Sequence, residues 1–255
     1  MWLAHCASTF ERVQTHMNNA GFFADGIDYQ LPHPPIDDAV LLITHNAICR
    51  AFVLLRASGF VLGTAHEDDV TRHLHSILEN RLRQKGEIPG FDERLFRKVW
   101  RAPEFTNFDG SHPAKKPDLV FELVRDETLV LSTHDALFVE CKLVGTSHPV
   151  TTNYCNKGLS RFIEGDYGWA MQEGMMLAYV RHGYTLSAKL NPILASEPYY
   201  ERLGQPSSLE VIPGGDAHPL AEELHVTTHN RKFQWPHGKG HAQGIRIFHS
   251  WHDCS

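Results

Sequence analysis

The amino-acid sequence predicts an α/β protein built around a central mixed β-sheet flanked by helices. Two apolar runs with strand character, residues 119–121 and 136–139, are bounded by polar turn residues. A run with helical spacing precedes them at 65–82, and two more strand-like runs follow at 224–228 and 244–251. Helical and strand periodicities that alternate along one chain are typical of a sheet packed against helices.

A length of 255 residues allows one large domain or two small ones, and we predict a single domain spanning 1–255. Hydrophobic residues make up 42% of the chain and charged residues 21%, as in an ordinary globular protein. We expect a core at about 60–185, an irregular N-terminal addition at 1–59 and C-terminal strands within 220–255. A proline-rich loop lies early in the chain, and the stretch from 40 to 60 is apolar enough for a buried strand or helix.

The first strongly periodic helix is predicted to begin near residue 65. Thr64 is placed to cap it, and Glu67 follows three residues later, which fits a capping box. Glu67 also shares a face with the apolar stripe and therefore points with that stripe towards the core. The next two acids, Asp68 and Asp69, are expected to be solvated and favoured by the helix dipole. The apolar stripe consists of Val70, Leu74, Ile77, Leu78 and Leu82.

Polar side chains mark the ends of the two strand-like runs that follow this helix. Asp118 opens the first run, and Glu140 and Lys142 close the second. Because side chains alternate across a strand, Glu140 and Lys142 share one face, whereas Cys141 points towards the core. Burying an acid and a lysine on an apolar strand is unfavourable unless they are paired. An ion pair between the two on an edge strand is therefore the alternative to a functional site.

Two carboxylates and an amine at one place can hold a divalent cation and activate a water molecule. Carboxylate oxygens together with several retained waters are the ligands that Mg²⁺ prefers. Such an ion orients a phosphate, lowers the pKa of a bound water and neutralises charge on the leaving oxygen. The lysine would position the water or stabilise the pentavalent phosphate.

Pro117-Asp118 followed by Glu140-Cys141-Lys142 resembles the motif of the PD-(D/E)XK nuclease superfamily. The resemblance covers the chain from about residue 67 to residue 180. It implies a restriction-endonuclease-like fold and metal-dependent cleavage of phosphodiester bonds. In that reading Asp118 and Glu140 hold Mg²⁺ or Mn²⁺, and Lys142 assists the nucleophile.

The resemblance also implies roles for residues on two helices. Members of the superfamily often carry a further metal-binding acid on the first helix, and Glu67 matches that role, with a capping box alone as the equal alternative. A helix is expected after the Glu-x-Lys strand and beside the active site, and we predict helical structure across 158–180. Lys157 and Arg161 lie where a phosphate contact would be useful, although a structural role fits Arg161 equally well. The large apolar residues expected in the core of this helical region are Trp169, Met171, Met175 and Tyr179.

The distribution of charge suggests weak binding of nucleic acid by the isolated chain. The net charge is −6, but residues 72–116 contain ten Lys/Arg and six Asp/Glu, which leaves the rest of the chain at −10. Within the basic segment, Arg97 and Arg101, together with Arg94 and Lys98, could line a phosphate track, although a solvated charged face is the commoner explanation. The acidic remainder favours delivery by a partner protein or self-association, and the resemblance to the superfamily implies an ATPase or helicase as that partner.

The cysteines and histidines of the chain bear on its redox compartment and on a zinc site. Five scattered cysteines without a Cys-x-x-Cys pair indicate a reducing compartment, and we expect a cytoplasmic protein that does not contact membranes. We expect no apolar run long enough to span a bilayer and no secretory signal. Six of the eighteen histidines and Cys254 lie in the C-terminal part, but their spacing does not match a closed zinc site with four ligands.

These observations predict a metal-dependent nuclease that acts on DNA, and the resemblance to the superfamily implies a role in restriction or anti-phage defence. The alternative from another class is a catalytically idle copy of the fold that serves as a binding or scaffold subunit. An enzyme of a different type that uses the histidines is a third possibility. The sequence has neither a serine or cysteine nucleophile motif nor a glycine-rich phosphate loop, which argues against that third interpretation.

Overall fold

The computed structural model describes residues 30–125, 131–212, 223–236 and 238–255. Within these ranges the α-helices are α1 Asp38–Ala57, α2 Glu67–Ile77, α3 Ser160–Ile163, α4 Leu186–Lys189, α5 Asn191–Leu194 and α6 Tyr199–Arg202. The strands are β1 Phe96–Arg101, β2 Leu119–Leu123, β3 Ala136–Val144, β4 Glu173–Val180, β5 Glu210–Ile212, β6 Leu224–His229 and β7 Ile245–Asp253. The π-helical segment Leu78–Arg83 directly follows α2, and a second one, Val150–Leu159, directly precedes α3. Ser132–His134 forms a 3₁₀ turn.

The strands form a mixed sheet of seven strands in the order β1-β2-β3-β4-β7-β6-β5. The first three strands are antiparallel neighbours, and so are the last three in this order. In the middle, β3 pairs in parallel with β4, and β4 pairs in parallel with β7. The predicted α/β class, with a mixed sheet flanked by helices, is confirmed.

Every residue of β3 and of β4 is buried, as expected for strands in the middle of a sheet covered on both faces. The prediction of helix across 158–180 is therefore wrong for Glu173–Val180. A continuous apolar run is compatible with a buried helix and with a buried strand, because it has no periodicity that would distinguish them. Gly174 fits the strand: a Cβ there would lie 2.7 Å from the ring of Phe162, so the α3 side chain packs directly on the strand backbone. Trp169, Met171, Met175 and Tyr179 are all buried, as predicted, although none of them is helical.

The N-terminal addition is not irregular between Asp38 and Ala57, where the chain forms α1, the longest helix in the described ranges. The oxygen Oδ1 of Asp37 accepts a hydrogen bond from the amide of Ala39 and so caps the helix. By length and composition α1 could cross a membrane, with a mean hydropathy of 1.5 in its most apolar window, so the expectation of no such run is wrong. Half of that window is buried inside the protein, against α2 and β7, as in a helix of a protein core.

The two predicted C-terminal strands are confirmed as β6 and β7. They are not an appendage, because β7 lies between β4 and β6 inside the sheet. The hydrophobic core therefore extends well beyond the expected 60–185 and includes α1 and β7.

Candidate active site

The register of β2 and β3 brings the predicted acids together. Leu119 pairs with Val139, so Asp118, one residue before β2, lies beside the Glu140–Lys142 end of β3. The amide of Cys141 donates a hydrogen bond of 2.7 Å to Oδ2 of Asp118. The backbone of β3 thus orients the Asp118 carboxylate towards the same place as the β3 side chains.

The ammonium group of Lys142 is the centre of this cluster. Its Nζ lies 2.7 Å from Oε1 of Glu140, 3.2 Å from Oε1 of Glu67 and 3.6 Å from Oδ2 of Asp118. It also donates to the backbone carbonyl of Cys141 at 2.7 Å. The structure therefore brings together all four residues that the sequence singled out as catalytic.

Glu67 reaches the cluster from the first residue of α2. Its Oε2 accepts a hydrogen bond of 2.7 Å from the amide of Leu143, while its Oε1 faces Lys142. The capping box predicted for this helix is wrong: His66 occupies the N-cap position and makes no side-chain cap bond. The Glu67 carboxylate cannot cap its own helix, because it is turned towards β3 instead.

Glu140 is the most deeply buried member, and each of its oxygens has a partner. The hydroxyl of Tyr167 donates to Oε2, while Oε1 faces Lys142 and also lies 3.6 Å from Nε of Arg161. Burial, and then the nearby charge of Asp118, raise the pKa of Glu140 to about 7. Burial likewise raises the pKa of Asp118. These two carboxyl groups hold their protons more tightly than in water because charge is crowded into a poorly solvated place.

The pKa of Lys142 is raised as well, but for an amine a raised pKa favours the charged form. Burial alone would lower the pKa of Lys142, but the carboxylates of Glu140, Asp118 and Glu67 outweigh it and raise that pKa above its usual value. Lys142 is therefore a fixed cation at neutral pH. The Glu67 and Asp118 side chains are 32% and 29% exposed, against 2% for Glu140, so solvent reaches the cluster from their side.

The π-helical segment after β3 packs directly over the cluster. A Cβ on Gly158 would lie 2.5 Å from the terminal methyl of Met176, which would have to shift, and 3.3 Å from Cγ of Lys142, so the backbone of this segment lies close against β3 and β4. A helical segment thus follows the Glu-x-Lys strand and lies beside the site, as the motif implied. It places Arg161 next to Glu140, and Nε of Arg161 also donates to the carbonyl of Lys157 at 2.7 Å.

The basic track predicted on β1 is divided between the two ends of that strand. Arg101 lies at the Asp118 end, where it bonds Asp68 at 2.8 Å, one residue from Glu67. Arg97 lies at the other end and pairs with Glu122 at 3.2 Å. The Lys157 side chain is exposed near the site. Of the proposed phosphate contacts, Arg161 lies against Glu140 and Arg101 lies at the Asp118 end of β1, whereas Arg97 does not lie near the carboxylates. Lys157 is linked to this group through its backbone carbonyl, which accepts from Arg161.

Two features near the sheet were not foreseen from the sequence. The first is the Tyr167 hydroxyl on Glu140, for which the sequence carries no signal. The second is a group of three buried potential metal ligands, His45, Cys49 and His252, whose ligating atoms all lie within 4.8 Å of one another. The spacing of His45 and Cys49, four residues apart on one helix face, was the available signal, but their partner lies more than 200 residues away.

Two further C-terminal histidines, His229 and His249, form hydrogen bonds inside the sheet. The hydroxyl of Thr227 lies 2.7 Å from Nε2 of both His229 and His249, and the Tyr154 hydroxyl lies 2.8 Å from Nδ1 of His249. Burial lowers the pKa of His229 to about 4 and that of His249 well below its usual value, so both rings are neutral at pH 7.

Chemically, the cluster of Glu67, Asp118, Glu140 and Lys142 offers three converging carboxylates, one fixed ammonium group and access from solvent. Oxygen ligands of this kind suit a hard divalent cation.

A search of protein-family models, of curated proteins and of solved structures finds no match to this chain.

Proposed function

We propose that this protein is a metal-dependent nuclease that hydrolyses phosphodiester bonds in DNA. The observation that carries the proposal is the convergence of three carboxylates from three separate elements on the single ammonium group of Lys142. When all three are ionised they exceed the charge of that one cation, in a place where burial already opposes ionisation. A divalent cation beside them would neutralise the excess and account for keeping three acids together.

Each residue has a role in this proposal. Asp118, Glu140 and Glu67 would hold Mg²⁺ or Mn²⁺, and the ion would lower the pKa of a bound water and polarise the scissile phosphate. Lys142 stays protonated and would stabilise the charge that develops on the phosphate. Arg161 and Lys157 beside the site would contact flanking phosphates.

The arrangement of elements supports the restriction-endonuclease-like fold that the motif implies. An acid on the first residue of α2, the Pro-Asp before β2, the Glu-x-Lys on β3 and a helical segment packed beside them are the parts expected of it. A role in restriction or anti-phage defence, with an ATPase or helicase as partner, belongs to the same proposal.

A second candidate is a catalytically idle subunit that keeps the fold for binding. It is favoured by one observation: both oxygens of Glu140 are already engaged, by Lys142 and Arg161 on one side and by Tyr167 on the other. A self-sufficient buried network of this kind can hold a core together without any ion. Glu140 and Lys142 do form the ion pair of the simpler alternative, at 2.7 Å, but on a strand inside the sheet and not at its edge.

The test is cleavage of supercoiled plasmid DNA by the purified chain with Mg²⁺, with Mn²⁺ or with EDTA. We expect cutting with either ion, none in EDTA, and none in Glu140→Ala or Lys142→Ala variants that keep a native circular-dichroism spectrum. The matched control is Glu79→Gln, which removes a part-buried acid that bonds Arg83 and the Val99 amide away from the site. Cutting in EDTA, or equal cutting by the Glu140 variant, would contradict the metal mechanism.

A further inference from the structure

A second group of potential ligands joins α1 to β7, apart from the carboxylate site. His45 and Cys49 lie one helical turn apart on α1, and His252 lies on β7. All three are at least 96% buried. Nothing in the proposed nuclease chemistry uses them, and they carry the soft nitrogen and sulphur donors that the carboxylate site lacks.

The spacing of the donor atoms suits a small metal ion. Sγ of Cys49 lies 3.6 Å from Nε2 of His45. An ion bound tetrahedrally at about 2.3 Å from sulphur and about 2.0 Å from nitrogen would separate those two atoms by about 3.5 Å, close to the observed distance. The third donor lies within 4.8 Å of both, so a small closing movement would complete a three-ligand site.

A hydroxyl group supports both imidazole rings from outside the cluster. Oγ of Ser250 lies 3.0 Å from Nδ1 of His45 and 2.8 Å from Nε2 of His252. An outer partner on the second ring nitrogen is the usual way in which a protein orients a metal-binding histidine. For His45 this contact leaves Nε2, the atom that faces Cys49, as the ligating nitrogen. The Phe52 ring stacks on His252 at 4.2 Å and shields the cluster.

The position of the cluster shows what an ion would do there. α1 runs alongside β7. At the start of the helix, Arg246 of β7 bonds Asp38 at 2.8 Å. At the end of the helix, Arg56 donates to the carbonyl of Asp253 in β7 at 2.6 Å. The histidine–cysteine cluster lies between these two contacts. An ion in it would cross-link the helix to the sheet through the buried interface.

We propose that His45, Cys49 and His252 bind one thiophilic metal ion, Zn²⁺ or Cu⁺, as a structural cross-link between α1 and β7. Both ions accept a thiolate and imidazoles. Charge separates them: one thiolate and two neutral imidazoles leave a neutral complex with Cu⁺ and a net +1 complex with Zn²⁺. A net charge is unfavourable in a buried place, so Cu⁺ should bind more tightly than Zn²⁺ if no anion joins the site.

The experiment refolds the full chain from denaturant with Zn²⁺, with Cu⁺ under anaerobic reducing conditions, or with a chelator, because the buried site must fill during folding. We expect about one tightly held ion per chain, a higher thermal midpoint than in chelator, and X-ray absorption showing one sulphur among the ligands. Competition between chelators of known affinity ranks the two ions. Refolding with Co²⁺ should give the charge-transfer absorption of a cobalt–thiolate bond.

Variants separate this site from the many other histidines. Cys49→Ser should lower affinity at least about 100-fold, and Ser250→Ala by about 10-fold or more, since outer partners typically contribute 10- to 100-fold. Cys155→Ser removes another buried cysteine and should leave binding unchanged. If Cys49→Ser does not fold, the X-ray absorption spectrum and the cobalt–thiolate absorption of the wild-type chain show whether a sulphur binds the ion. Metal bound without sulphur, or no ion retained under any condition, would overturn the proposal and leave a hydrogen-bonded cluster.

Discussion

At the scale of single residues, Glu140 illustrates how burial raises the pKa of a carboxyl group. Its pKa of about 7 means that, before any metal binds, the group is partly protonated at neutral pH. A cation bound beside it would favour the charged form and displace the proton. Tyr167, Lys142 and Arg161 hold the carboxyl group in one orientation, so in the proposed metal site its oxygens would already be in place when an ion binds.

The first prediction at this scale concerns Tyr167. Changing Tyr167→Phe keeps the packed ring and removes only the donor to Oε2 of Glu140. Leaving a buried oxygen without its hydrogen-bond donor costs about 1–3 kcal/mol, so we expect the free energy of unfolding to fall by a comparable amount. If the hydroxyl also orients a metal ligand, the variant should need about 10-fold more Mg²⁺ for half-maximal cleavage. A titration of activity against Mg²⁺ measures this, and an unchanged midpoint would assign Tyr167 to packing alone.

The second prediction separates the two contacts of Glu67. In Glu67→Gln the amide oxygen can still accept from Leu143, but the negative charge facing Lys142 is gone. We therefore expect cleavage to fall about 10-fold or more, while the urea midpoint changes little because the backbone bond remains. Glu79→Gln, in the π-helical segment that continues α2, should lower the urea midpoint and leave cleavage unchanged, because it removes the charge that pairs with Arg83 in a nearly buried place away from the site. Wild-type cleavage by Glu67→Gln would remove Glu67 from the proposed metal site.

At the scale of elements, the pair β6 and β7 carries a network that depends on neutral histidines. His229 and His249 share the Thr227 hydroxyl, and the carbonyl of Leu203 lies 2.8 Å from Nδ1 of His229. Burial keeps both rings uncharged. Protonating either one would place an unpaired charge in the sheet.

The third prediction follows from the sign of these pKa changes. In the unfolded chain a histidine binds a proton below about 6.5, whereas His229 in the folded protein does so only below about 4. The stability that it contributes is therefore present above pH 6.5 and is lost as the pH falls towards 4, by about 1.4 kcal/mol per pH unit. His229→Gln should lose this part of the dependence. Urea unfolding at pH 7 and pH 5 measures the difference, and parallel curves for variant and wild type would contradict it.

At the scale of the whole molecule, several cations of the basic segment are already paired with acids in the part of the chain that the structure describes. Arg101 is paired with Asp68, Arg97 with Glu122, and Arg94 with Asp92. Binding a phosphate at any of these positions competes with an acid already in contact. The chain also carries a net charge of −6, so long-range attraction of DNA is weak.

The fourth prediction concerns this surface. Affinity for a short DNA duplex should fall with salt at a slope on the order of −3 to −5, as expected for only a few phosphate contacts. Asp68→Asn, which releases Arg101 beside the site, should tighten binding and steepen the slope. Glu122→Gln, which releases Arg97 at the far end of β1, is the matched control and should do less. Tight binding by the wild-type chain with a much steeper slope would show that no delivery partner is needed.

Local pattern alone was enough for several features of this protein. The strand at 119–123, the strand that carries Glu140 and Lys142, the helix after Glu67 and the two C-terminal strands follow from spacing and turn residues. The grouping of Asp118, Glu140 and Lys142 followed as well, since adjacent antiparallel strands bring such ends together. These features depend on interactions between residues close in the chain or in neighbouring strands.

Tertiary structure decided the rest, because it depends on contacts between distant segments. Whether Glu173–Val180 is a strand or a helix was settled by its place between β3 and β7, where both faces are buried. The Glu67 carboxylate turns to β3 and not to its own helix because the Leu143 amide and Lys142 lie there. The meeting of His45 and Cys49 with His252 depends on α1 packing along β7, which no local pattern encodes.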